Sequence, residues 1–165
     1  MIIYGIGAIV LVLFLVAPIR GRILRRLDQL SPGSVAFTIS NRRVFAQALA
    51  AAAVGSPLGA RATGMTSAPS VTADSRGLTF WDNTPPELVG ALDWRRIESL
   101  EVITLQTALR RLSSSAILLH VTVGEGTIAV PLLSPNGTRG MYGSRRESEF
   151  LLGQLEALRG SSVDA

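Results

Sequence analysis

The chain has no cysteine and no lysine, and its one histidine is His120. Without thiols there is no disulfide, no thiolate metal site and no cysteine nucleophile. Without lysine there is no Schiff base and no phosphate-loop lysine. A lone histidine has no second imidazole with which to share a metal ion. Aromatic residues are also scarce, with two tryptophans, two tyrosines and five phenylalanines in 165 residues. What is left for chemistry is carboxylates and hydroxyls, and no convergent carboxylate pair is visible. Glu98 and Glu101 are odd-spaced, so strand alternation directs them to opposite faces. Asp74, Asp82 and Asp93 fall at strand ends or turns, where aspartate hydrogen-bonds its own backbone. His120 shares a strand face with Thr122, away from Ile117, Leu119, Val121 and Val123, and reads as a solvated or satisfied side chain. Neither an enzyme nor a cofactor is expected.

Charge is missing too, over the whole run IIYGIGAIVLVLFLVAPI, Ile2 to Ile19. At about 1.5 Å per residue a helix there is about 27 Å long, close to the roughly 30 Å hydrocarbon core of a bilayer. Arg20, Arg22, Arg25 and Arg26 follow it. A cleaved leader would have a basic stretch before the apolar run and a small-residue cleavage site after it, and both are lacking. The run therefore reads as an uncleaved transmembrane helix in the inner (cytoplasmic) membrane. The arginines place its N-terminus outside and the rest of the chain in the cytoplasm. Gly5 and Gly7 lie within the run and suit close packing against another membrane helix.

The remaining charge is unevenly spread. Residues 1–69 hold seven arginines against Asp28 alone, whereas residues 70–165 hold nine arginines against eleven acids. The basic excess thus belongs beside the membrane, where each arginine gains about 1 kcal/mol from anionic headgroups. A nucleic-acid binder carries its basic patch on the folded domain, so nucleic acid is not an expected partner.

Four regions are expected. Residues 1–30 are the membrane helix and an amphipathic stalk, in which Ile23, Leu24, Leu27 and Leu30 recur at helical spacing. Residues 31–69 contain a short β-like run (Ser34–Ile39), an alanine-rich helix ending at Gly55–Pro57, and a linker. The helix over residues 41–57 has an alternative reading as a second span, which would place the domain after it outside the cell. Residues 70–160 alternate in short strands broken by turn signals, with Gly124-Glu125-Gly126 as a hairpin connection. This region ends in a helix with a Ser144/Glu147 capping box, an apolar stripe of Phe150, Leu151, Leu155 and Leu158, and Gly160 as its C-cap. Residues 161–165 are a tail.

The stretches SVTADSRGLTFWD and ALDWRRIESLEV, followed by the closing helix, resemble the bacterial pleckstrin-homology-like domain. Gly77 and Leu78 match its glycine-leucine turn, and Trp94 and Ile97 match its later W-x-x-I segment. The resemblance implies an α+β, mainly β fold: the N-terminal transmembrane helix, then a PH-like antiparallel β-barrel or sandwich closed by a C-terminal amphipathic helix. It also implies that Trp94 is core. The alanine-rich segment departs from the family pattern where eukaryotic members bind phosphoinositides, so inositol-lipid binding is not carried over.

The function expected is that of a membrane-anchored, non-catalytic module, an adaptor or accessory subunit that holds a partner protein. The alternative is a module that reads anionic lipid. Candidate lipid or partner contacts are Arg20, Arg22, Arg25 and Arg26, Trp81 beside its Pro-Pro turn, and the pairs Arg95-Arg96 and Arg110-Arg111 at a basic rim.

Overall fold

The computed structural model describes residues 23–39, 42–65, 69–83, 86–106, 113–132 and 144–163. Helix α1 occupies residues 23–30 and ends where Ser31 N–H bonds the Leu27 carbonyl. Strand β1 (Val35–Thr38) follows, then helices α2 (Arg42–Ala52) and α3 (Pro57–Ala62). Strands β2 (Ser70–Asp74), β3 (Gly77–Asn83) and β4 (Pro86–Asp93) lead through a 3-10 turn at Trp94–Arg96 into β5 (Ile97–Gln106), β6 (Ser113–Val123) and β7 (Gly126–Leu132). Helix α4 (Arg145–Val163) comes last.

The strands form two antiparallel sheets, one in the order β1-β2-β3-β4 and one in the order β5-β6-β7. Alternation sets which side chains meet between them. Val71 pairs with Phe80 and Ala73 with Leu78 in the first sheet; Leu119 pairs with Val130 and Ile117 with Leu132 in the second. All eight are fully buried. The turn between β2 and β3 depends on Gly77, whose φ is +154° and whose missing Cβ lets the Leu92 carbonyl of β4 come close. Trp94 is 2% exposed, as expected, and its indole N–H donates to the Asp74 carbonyl at 2.7 Å.

The helices complete the core. Phe45, Leu49 and Ala52 of α2 are fully buried, with the Phe45 ring 5.6 Å from that of Phe80. The alanines of α2 have short side chains, which lets its backbone lie close to β6 and β7. Helix α3 starts at an Ser56 N-cap and seats Leu58 over Gly90, where a Cβ would stand 2.9 Å from the leucine Cδ1. Helix α4 packs through Leu151 and Leu155 against β5, β6 and β2. Its Ser144/Glu147 capping box forms as expected: Glu147 N–H donates to Ser144 Oγ, and Ser144 N–H donates to Glu147 Oε2 at 2.7 Å.

Several expectations are corrected. The fold class included an N-terminal transmembrane helix. Ile2–Ile19 lies outside the described residues, and among the described residues no helix is long and apolar enough to cross a membrane. The architecture of the described residues is mainly β, two antiparallel sheets with a C-terminal helix, and does not support the expected membrane helix. The second span considered for residues 41–57 is also replaced. Its helix has 11 residues, about 17 Å of rise, and buries Phe45, Leu49 and Ala52 within this core. Helix α4 runs through Gly160 to Val163 instead of stopping there. Phe150 does not join the apolar stripe of α4: it is 71% exposed, because it stands about 100° around the helix from Leu151.

Candidate functional site

The residues named from the sequence do not converge. Arg20, Arg22, Arg110 and Arg111, together with Gly5 and Gly7, lie outside the described residues. Arg25 and Arg26 are exposed on α1, and Arg95 is exposed on the 3-10 turn. Arg96, next to it, is half-buried and turned inward, donating to the Ala52 carbonyl at 2.9 Å. It satisfies a backbone group that the end of α2 leaves without an intrahelical partner. Helix α2 has no basic residue of its own in its last turn, so Arg96 supplies the positive charge its C-terminus favours.

Trp81 is half-buried at an irregularity in β3–β4 pairing, where Val89 is the extra residue and Trp81 faces Leu88. Its indole N–H donates to Thr72 Oγ1 at 3.0 Å, which fixes the ring over β2. Leu88 beside it is 47% exposed. The two make a small apolar patch near the turn.

A polar ladder lies on the outer side of the three-stranded sheet. His120 Nε2 stands 2.9 Å from Glu101 Oε1, and Thr127 Oγ1 donates to Glu98 Oε2 at 2.8 Å. Glu98 and Glu101 thus share the outer face, contrary to the alternation expected. The register steps from Ile97–Val121 to Ser99–His120, so Glu98 is the extra residue of a bulge that resets the pleat. Both carboxylates are exposed, and each already accepts a hydrogen bond from the sheet. Among the described residues no group of three or more acidic or histidine side chains could hold a metal ion.

Asp74 behaves as the turn aspartate expected. Burial pushes its carboxyl up, but the Arg76 N–H and guanidinium and the Gly77 N–H outweigh that and hold it below its ordinary value. Asp93 does similar work, accepting the Arg95 N–H at 2.8 Å to open the 3-10 turn.

Among the described residues a groove of about 520 Å³ lies between α1, β1 and α4. Leu24, Val35, Ala36 and Leu151 form its apolar lining, and the exposed Phe150 ring stands at its edge. Its polar groups differ in what they have left to offer. Glu147 is engaged by Ser144, and Glu149 on the same helix is paired with Arg145 at 2.7 Å. Arg146 is exposed and has no ion-pair partner among the described residues. Sequence reasoning missed this groove, because α4, which forms one of its walls, follows α1 and β1 by more than a hundred residues. The one available signal was Phe150, an aromatic at the margin of an amphipathic stripe. Compared with known protein families, curated proteins and solved structures, the chain matches none.

Proposed function

We propose that the chain is a non-catalytic binding module of PH-like architecture, an adaptor or accessory subunit that holds a partner protein. The groove between α1, β1 and α4 carries this reading. It joins an apolar lining to an exposed aromatic and to Arg146, an exposed cation with no ion-pair partner among the described residues, a combination by which protein surfaces anchor a partner. Seven strands in sheets of four and three, followed by a helix, support the PH-like part of the reading. In this reading the module works at the cytoplasmic face of a membrane, with the arginines of residues 20–26 near its anionic headgroups.

The test is purification of the tagged full-length protein from its native membranes in mild detergent, followed by mass spectrometry. A stoichiometric companion that is released by Phe150→Asp is the expected result. Absence of any stoichiometric companion overturns the reading. A second reading, a module for anionic lipid, is favoured by Arg25 and Arg26, both exposed on α1. It requires binding to anionic vesicles that weakens with salt and with Arg25→Gln and Arg26→Gln.

A further inference from the structure

The outward face of α4 has no partner among the described residues. At about 100° per residue, Arg146, Phe150, Gly153, Ala157 and Gly160 fall within roughly 80° of arc. All five are exposed, while Leu151 and Leu155 point the other way, into the core. The Phe150 ring, 71% exposed, stands at one end of the face, and beyond it the side chains shrink to a hydrogen or a methyl. The fold does not need those glycines. Nothing among the described residues lies within 4 Å of where a Cβ would stand on Gly153 or Gly160, and neither has a positive φ. Glycine inside a helix is destabilising relative to alanine, so the isolated chain is better served by a side chain at both positions.

The two ends of the helix are complementary in charge. Arg146, in the first turn, has no ion-pair partner among the described residues, whereas its neighbour Arg145 is paired with Glu149. The last turn has no basic residue, and Arg159 just before it is turned onto β5, donating to the Glu98 carbonyl at 2.8 Å. The final carbonyls of a helix carry partial negative charge and lack intrahelical donors. A cation at one end and a bare C-terminus at the other meet when two such helices lie antiparallel.

We propose that a second copy of this chain docks on this face, the two α4 helices packing antiparallel about a two-fold axis level with Leu155. In that register Phe150 of each copy lies over Gly160 of the other, Gly153 lies opposite Ala157, and Arg146 reaches the C-terminal turn of the facing helix. The face is self-complementary, as a two-fold interface must be, because each copy sets its one large apolar side chain against a glycine. The missing side chains let the axes approach to about 8 Å. Glu149 and Glu156 stand to one side of the face and stay in water. One helix pair is smaller than the ~1,200 Å² of a stable interface, so the copies exchange with monomer on dilution. This pairing goes beyond the adaptor reading and does not depend on it; only Arg146 and Phe150 belong to both surfaces.

The experiment is sedimentation equilibrium of the full-length chain in density-matched detergent, over a range of concentrations. A monomer–dimer equilibrium is expected. Phe150→Asp should weaken it at least about tenfold. Gly153→Leu and Gly160→Leu should weaken it to the same extent while melting no lower than the parent, since each has room within its own chain and gains helix propensity. Arg146→Gln should weaken it about threefold. The chain has no cysteine of its own, so introduced thiols report the register. Mixed copies carrying Gly153→Cys and Ala157→Cys should join in a disulfide under mild oxidation, and Gly153→Cys copies should not join one another, because their Cα atoms stand beyond about 7 Å.

A chain that stays monomeric at every concentration overturns the proposal. So does a dimer indifferent to Phe150→Asp and Gly160→Leu, or one in which Gly153→Cys copies join each other, the mark of parallel helices. Binding to phosphatidylcholine vesicles that requires Phe150, by copies that do not associate, would make the face a lipid contact. A dimer with no other stoichiometric companion upholds the pairing and overturns the adaptor reading. An unrelated companion released by Phe150→Asp, with differently tagged copies that never co-purify, does the reverse.

Discussion

Replacing Arg96 with methionine separates a residue that holds the fold from one that meets a ligand. Its sequence context, a double arginine at a strand break, suggests a solvated rim, yet its guanidinium lies 2.9 Å from the Ala52 carbonyl, 44 residues away. A hydrogen bond from a charged donor contributes about 1.5–3 kcal/mol, and the half-buried setting of Arg96 points to the lower end. Methionine keeps most of the aliphatic stem, so the loss is that of the charge and the bond. The expected cost is about 1–2 kcal/mol, which for a chain of this size lowers the melting temperature by about 3–6 °C. Thermal unfolding followed by circular dichroism reads it directly. Amide hydrogen exchange at the C-terminal end of α2 should accelerate in the same variant. Arg95→Met, on the neighbouring exposed arginine, should melt within about 1 °C of the parent. If Arg96→Met melts with the parent, the guanidinium does not hold α2 and the reasoning is wrong.

Three further outcomes follow from the turn that joins β2, β3 and β4. Trp94→Phe leaves the half-buried Asp74 carbonyl without its 2.7 Å indole donor, and should cost about 1–2 kcal/mol by chemical denaturation. Gly77→Ala sets a Cβ against the Leu92 carbonyl at a φ of +154°; a loss of about 3 kcal/mol is expected, and unchanged stability would contradict the geometry. Asp74→Asn tests linkage. The folded carboxyl titrates below its ordinary 3.8, so its stabilisation is complete above that value and is lost as pH falls through the folded pKa. The parent should therefore be the more stable protein at pH 7, with the gap closing below about pH 4; a gap that widens with acid would refute the assignment.

Where the pattern is local, the chain announces its structure. The alternation of Ile117, Leu119 and Val121 is realised on the inner face of β6, and Ser144 with Glu147 closes the N-terminus of α4. Trp94 is core, as its place in the sequence suggested. What stayed hidden depends on partners distant in the chain. A bulge at Glu98 changes the facing of both glutamates, and no residue type at that position signals it. Arg96 looks like any surface arginine until α2 is placed beside it. The alanine-rich helix is too short to span a bilayer and gains its place through Phe45 and Leu49 instead. The groove is less legible still, because Leu24, Ala36 and Phe150 become neighbours only after both sheets and α4 are assembled.

The placement of α2 and α3 between β1 and β2 has a consequence for the order of assembly. Strands β2, β3 and β4 are joined in sequence by short turns, whereas β1 meets β2 only after the chain from Thr38 to Ser70 has been gathered in. Closing so long a connection costs roughly 2 kcal/mol more entropy than a two-residue turn. Docking of Phe45 and Leu49 is what offsets this, so β1 joins the sheet after α2 has found its seat. The last strand to arrive is also the first to leave. Partial opening of the native protein should begin at β1.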